Sequence, residues 1–310
     1  MPIASRFERP WFGVLCALTA TFIWSTNFVL ARGVNELVPP VTLAFLRWTV
    51  AIIVLAPLTF KNLVREWALI KRYARYLTFC GILSVTLYNT LIYIAAHTTV
   101  TVNLAVINES TPLFIILFSW LLLSERLTRL KILGLFMTTI GVLLLISDGQ
   151  LENLLELSFR FGDIWVLAAA LIFGLYSILI KKRPAEMGLI SFTFVSFVSG
   201  WVILLPLFCW ETLTTPAVSY SLNLIGIICY LGIFASIIAY LAWTKAVQLI
   251  GPARSALIYY LLPVFSAIQA ILLLNEPLRV IHMVSFLMII SGVVIANQLR
   301  TQNNSSGSGK

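Results

Sequence analysis

The chain has 310 residues, 60% of them hydrophobic and 11% charged, with a mean hydropathy of +0.98 and a formal net charge of +9. No soluble domain of this length is so apolar, so the composition specifies an integral membrane protein. The positive excess does not mark a nucleic-acid binder, because the basic residues are spread thinly along the chain rather than gathered into a patch.

Ten mostly apolar stretches follow one another, at 12–32, 41–60, 74–96, 100–123, 131–147, 163–181, 188–209, 223–247, 252–274 and 279–299. Each is long enough to cross a hydrocarbon core of about 30 Å at roughly 1.5 Å per residue. The first follows Arg6 and Arg9 and holds no A-x-A cleavage site, so it is expected to be retained as a span. With the N-terminus in the cytoplasm, nearly all of the 21 Lys and Arg fall on the cytoplasmic side; Arg32, Arg160 and Arg279 fall opposite, and Arg47 lies within a span. That asymmetry in short loops obeys the positive-inside rule and puts both termini inside. The linker 148–162 is acidic instead, with Asp148, Glu152 and Glu156. Cys16, Cys80, Cys209 and Cys229 show no C-x-x-C spacing and read as reduced packing thiols. The tail 300–310, ending Ser-Ser-Gly-Ser-Gly-Lys310, reads as an appended remnant outside the fold.

The chain repeats itself. Gly13 to Leu58 reappears as Gly162 to Leu207 at a shift of 149. Further on the shift is 151: Pro112 with Pro263, Phe114 with Phe265, Leu121–Leu127 with Leu272–Leu278, and Gly141-Val142 with Gly292-Val293. The units are therefore 1–147 and 163–299, each with five spans. An odd span number forces two like halves into opposite orientations, so the expected fold is an all-α bundle of ten transmembrane helices in two inverted repeats. Inverted repeats are the architectural mark of a transporter, whose halves exchange conformations to open a site to either side in turn.

Polar groups that survive within hydrocarbon usually face a bundle interior or a watery cavity. Asn89, Tyr93 and His97 form one helical stripe, and Tyr240, Thr244 and Gln248 form the repeat-related one. Both are expected to line a central substrate cavity, with Tyr88 and Trp243 as aromatic walls; interhelical hydrogen bonding without a solute is the competing reading. Trp24 and Asn27 in the first span, with Phe173 and Tyr176 in the sixth, suit a wall that meets an amphipathic solute, helix packing being the competing reading. Pro112 and Pro263 leave the carbonyls of Asn108 and Tyr259 without a helical donor. That predicts paired kinks that serve as hinges, with Asn108 and Tyr259 at the cavity. Arg47 and Glu109 share a depth. The favoured reading is a structural ion pair; the sharper one makes Glu109 a site for a proton or a substrate ammonium. Glu125 and Glu276 are expected to stabilise the helix that follows each of them.

These residues resemble a known family. Trp24-Ser-Thr-Asn27-Phe28, Phe45-Leu-Arg47, Pro112-Leu-Phe, Leu123-Ser-Glu125-Arg-Leu127 and Gly141-Val142 are similar to the EamA repeat of the drug/metabolite transporter superfamily. The second half keeps Pro263, Glu276, Leu278 and Gly292 but has lost the Phe-Leu-Arg signature. The run Asn108-Glu-Ser-Thr-Pro112-Leu-Phe further resembles the YddG-type amino-acid exporters. The resemblance implies a central cavity walled by spans one, three, four, six, eight and nine. It implies export of amino acids, aromatic ones included, across a bacterial inner membrane. The partners expected are the solute and the lipid bilayer, with a monomer as the working unit and no nucleic acid, metal or cofactor. A nucleotide-sugar or phosphate-ester antiporter would need several deep Arg or Lys, and Arg47 is alone. An intramembrane enzyme would need a constellation of acids, a nucleophile or metal ligands at one depth, which the sequence does not offer. A receptor or scaffold without transport would not require an inverted duplication.

Overall fold

The computed structural model describes residues 4–34, 37–125, 127–150, 152, 158–274 and 277–297. Among them all regular structure is helical: α1 (Ala4–Val34), α2 (Pro40–Arg65), α3 (Ala74–Thr98), α4 (101–123), α5 (Arg129–Ile146), α6 (Phe161–Lys181), α7 (Leu189–Thr214), α8 (Leu222–Ile250), α9 (252–274) and α10 (Val280–Asn297). Nine of these are long and apolar enough to cross a membrane by themselves, and α1 carries a shorter apolar stretch, Pro10–Thr26. The fold is two repeats of five helices, α1–α5 and α6–α10, in opposite orientation. Large side chains such as Trp11, Phe136, Leu213 and Leu222 stand exposed on its flanks, as lipid-facing positions require.

The repeats pack crosswise. α2 lies along α7, α3 packs on α7 as α8 packs on α2, and α1 packs on α8 as α6 packs on α3. Glycines set how closely these pairs approach. A Cβ on Gly81 in α3 would lie 2.3 Å from the Ser196 carbonyl oxygen of α7. Its repeat partner Gly232 in α8 faces Val50 and the Arg47 carbonyl of α2, at 2.6 and 2.9 Å. Backbones can meet so closely only where no side chain intervenes. The peripheral α5–α10 pair uses Gly134 and Gly292 in the same way.

Helix ends are tied across the repeats too. Glu66, just past α2, accepts from the Gly188 N–H at the start of α7 at 2.9 Å. Glu211, in the last turn of α7, accepts from the Val41 and Thr42 N–H groups at the start of α2, at 3.1 and 2.6 Å. Each of these antiparallel helices ends in the carboxylate that satisfies the other's orphan donors and opposes its dipole. Glu211→Gln and Glu66→Gln are each expected to lower unfolding stability by about 1 kcal/mol, read as a thermal shift in detergent. An unchanged melting temperature for both would remove the capping role. The expected role of Glu125 is corrected: α5 is capped by Thr128, whose hydroxyl accepts from Lys131 N–H at 3.3 Å. The Glu125 carboxylate lies instead at Gly251, before α9, and Glu276 lies outside the described residues. The N-terminus of α6 is held by Asp163, which accepts from Arg160 N–H, Asn103 Nδ2 and the Thr99 hydroxyl.

Candidate functional site at the crossing of the repeats

Two irregularities sit at corresponding places in the halves. α3 is π-helical over Ile82–Tyr88 and α8 over Leu231–Ile238. A wide turn of this kind misaligns backbone carbonyls and recurs at functional positions. Here side chains take them up: Asn89 Nδ2 and the Tyr240 hydroxyl donate to the Ser84 carbonyl at 3.0 and 3.2 Å, and Trp24 Nε1 donates to the Ala235 carbonyl at 3.0 Å.

Asn89 and Tyr240 are repeat partners, and they touch: Asn89 Nδ2 donates to the Tyr240 hydroxyl at 3.1 Å. The expected stripes on α3 and α8 thus meet where the halves cross. Arg47 of α2 joins them. Its Nη1 donates to Asn89 Oδ1 at 2.8 Å and to the Tyr93 hydroxyl at 2.7 Å, and its Nε donates to the Ser236 hydroxyl at 2.9 Å. The guanidinium also stands 5.1 Å from the Trp48 ring centre, a favourable place for a cation. The expected Arg47–Glu109 ion pair is not formed, because uncharged groups of α3 and α8 surround the guanidinium.

Beside this network lies an aromatic cluster with Trp24 at its hub. Its ring centre is 5.4 Å from Phe173, 5.5 Å from Tyr240 and from Trp243, and 5.9 Å from Tyr259. Trp24 and Phe173 are themselves repeat partners, packed edge to face at 85°. Tyr88 packs on Phe173 at 4.7 Å, and Tyr176 lies 6.0 Å from both Phe173 and Tyr240. Trp243 Nε1 donates to the Ser177 hydroxyl at 3.1 Å. Thr244 is buried, with its hydroxyl unpartnered among the described residues.

The expected cavity residues therefore converge: Trp24, Tyr88, Asn89, Tyr93, Tyr176, Tyr240, Trp243 and Tyr259 are all buried at this crossing. His97 is not among them. It is exposed at the end of α3, with Nδ1 at 2.8 Å from the Tyr93 carbonyl oxygen. The Asn27 side chain lies outside the described residues.

The two prolines interrupt their helices at one level. α4 is broken at Glu109–Ser110, between Thr101–Asn108 and Thr111–Leu123; α9 is broken at Tyr260–Leu261, between Pro252–Tyr259 and Leu262–Leu274. Pro112 lies at the start of the new helical piece, where its missing N–H costs nothing. Asn108 is buried with Oδ1 unpartnered, and Tyr259 faces both Tyr88 and Asn108. On the face carrying most basic residues, Thr111–Leu123 packs against Pro252–Tyr259. Towards the opposite face the other pieces turn away, Thr101–Asn108 to α5 and α6, Leu262–Leu274 to α1, α5 and α10.

Sequence reasoning overlooked Trp48, Ser84 and Ser236 as parts of this centre, whereas Phe173 was expected there as the repeat partner of Trp24. Ser84 and Ser236 enter through π-helical turns, which leave no mark in hydropathy.

Ten helices in inverted repeats, a polar and aromatic centre at their crossing and two helices interrupted beside it define a membrane transporter. Residues 11–147 and 160–298 each match the EamA-like transporter family, and the chain belongs to that family. It is 26% identical over 247 residues to the uncharacterized transporter YyaM of Bacillus subtilis, covering 80% of each chain. It is 26% identical to an uncharacterized transporter of Clostridium kluyveri, covering 94% of this chain and 97% of that one, and 25% identical to protein PecM of Dickeya dadantii, covering 91% of each. One crystal structure superposes with a TM-score of 0.76 at 21% identity, over 92% of this chain and 96% of the other, and so shares the fold.

Proposed function

We propose that the protein exports amino acids, aromatic and other neutral ones included, by alternating access through the centre where its repeats cross. In this reading it works as a monomer in a bacterial plasma membrane, with both termini on the basic, cytoplasmic face. The observation that carries it is the pair of broken helices, α4 and α9, which meet on the basic face and diverge towards the other with the aromatic cluster between them. Exchanging which ends meet would open the centre to the opposite side, as inverted repeats permit. The centre offers ring faces, hydroxyls and amides with little formal charge, which suits a small amphipathic solute held weakly enough to be released. Phosphate esters fit it poorly, since three of the guanidinium's donor contacts are already made within the protein.

The test is flux of a panel of radiolabelled amino acids in proteoliposomes, with and without a pH gradient. Saturable movement of neutral and aromatic amino acids is expected; no movement of any would refute the reading. Tyr93→Ala and Trp243→Ala are each expected to cut that flux by about tenfold or more, with membrane insertion intact. Normal flux in both would remove the centre from the transport path.

A further inference from the structure

Glu109 is a carboxyl beside the centre that the hydrogen-bond network leaves unexplained. The residue is 8% exposed, and its Oε2 has no hydrogen-bond partner among the described residues. No lysine, arginine or histidine pairs with it among the described residues. The ionisable groups that face it are Tyr259 and Tyr260, both of α9. Around the same break Asn108 Oδ1 and the Ser110, Thr111 and Tyr260 hydroxyls are buried with no hydrogen-bond partner within 3.5 Å among the described residues, and Thr139 stands beside Tyr260. Pro112 adds a freed backbone carbonyl at Asn108, and the helical piece Thr101–Asn108 ends here with the negative end of its dipole. A buried carboxyl oxygen and a buried amide oxygen without donors, side by side at the break, suit a donor-rich cation. Unwound carbonyls and half-helix C-termini at a break are a recurrent way for transporters to hold cations near the midplane.

We propose that the break in α4, with Glu109 and the Asn108 amide oxygen as principal ligands, receives the ammonium group of the transported solute. This rests on the reading of the solute as an amino acid and assigns the end that the aromatic cluster does not explain. A primary ammonium carries three N–H donors, enough to engage Glu109 Oε2, Asn108 Oδ1 and a freed carbonyl together. Tyr259 links the two parts, since it packs against Trp24 and also faces Asn108 and Glu109. A ring stacked in the cluster and an ammonium at the break would then belong to one solute.

The experiment compares wild type with Glu109→Gln in proteoliposomes at equal pH on both sides, using radiolabelled phenylalanine, its α-hydroxy analogue phenyllactate and the carboxylate-free amine phenethylamine. Wild type is expected to carry phenylalanine at least about tenfold faster than phenyllactate, and Glu109→Gln to lose that advantage through slower phenylalanine flux with phenyllactate unchanged. Equal loss of both solutes in the variant would make Glu109 merely structural and overturn the site. Unchanged phenylalanine flux at equal pH, with only the response to an imposed pH gradient lost, would make it a proton site and overturn the proposal as well. If wild type carries phenethylamine but no amino acid, the amino-acid reading fails while loss of amine flux in Glu109→Gln sustains the site. Carriage of none of the three solutes sinks both. Should Glu109→Gln not fold, Glu109→Asp withdraws the carboxylate by one methylene and must slow phenylalanine selectively.

Discussion

Arg47→Met is expected to abolish measurable flux and to destabilise the protein by about 3 kcal/mol, while the chain still inserts. Arg47 is 1% exposed and donates to three uncharged partners on two helices, one from each repeat. Met keeps the apolar stem and removes the donors, so Asn89 Oδ1 becomes a buried acceptor with nothing to accept. Asn89 is also the residue that reaches across to Tyr240. Its release loosens the contact between repeats at the point about which they would move, and roughly 3 kcal/mol corresponds to about a hundredfold in rate or equilibrium. Arg47→Lys is expected to rescue little, because an ammonium cannot reproduce the planar spread of a guanidinium over Asn89, Tyr93 and Ser236. The comparison to make is proteoliposome flux against melting temperature: a variant with full stability and no flux, or the reverse, separates the two roles assigned to Arg47.

Gly81→Val is expected to prevent folding to a monodisperse protein. Its Cβ would lie 2.3 Å from the Ser196 carbonyl oxygen and 2.8 Å from the Gly200 nitrogen, both backbone atoms that cannot rotate away. α3 and α7 would have to separate, opening the crosswise packing that joins the repeats. Gly232→Val should fail as well, though less completely, because part of its crowding comes from the Val50 side chain. Gly226→Ala is the control: nothing lies within 4 Å of its added Cβ, so it should behave as wild type in fluorescence-detected size exclusion. Normal behaviour of Gly81→Val would contradict the close α3–α7 approach.

Much of this architecture is written in the repeat. Once Gly13–Leu58 is matched to Gly162–Leu207, five spans per unit and opposite orientation follow, and the pairing of Asn89 with Tyr240 puts two stripes at one crossing. The prolines mark the breaks in α4 and α9 directly, since a missing N–H has a local effect. What could not be read is partner choice. Arg47 and Glu109 share a depth in the sequence, yet depth does not fix the direction in which a side chain leaves its helix. Arg47 points to α3 and α8, and Glu109 towards α9. Glu66 and Glu211 escaped notice because each caps a helix more than a hundred residues away in sequence.

The two repeats are inverted across the membrane, and single-cysteine accessibility in sealed, uniformly oriented vesicles measures that inversion most directly. With Cys16, Cys80, Cys209 and Cys229 replaced, Arg129→Cys and Arg279→Cys report on the corresponding connections α4–α5 and α9–α10. A membrane-impermeant maleimide should label one of them from outside and reach the other only after the vesicles are opened. Labelling of both from the same side would contradict the inversion, and with it alternating access by exchange of the two halves.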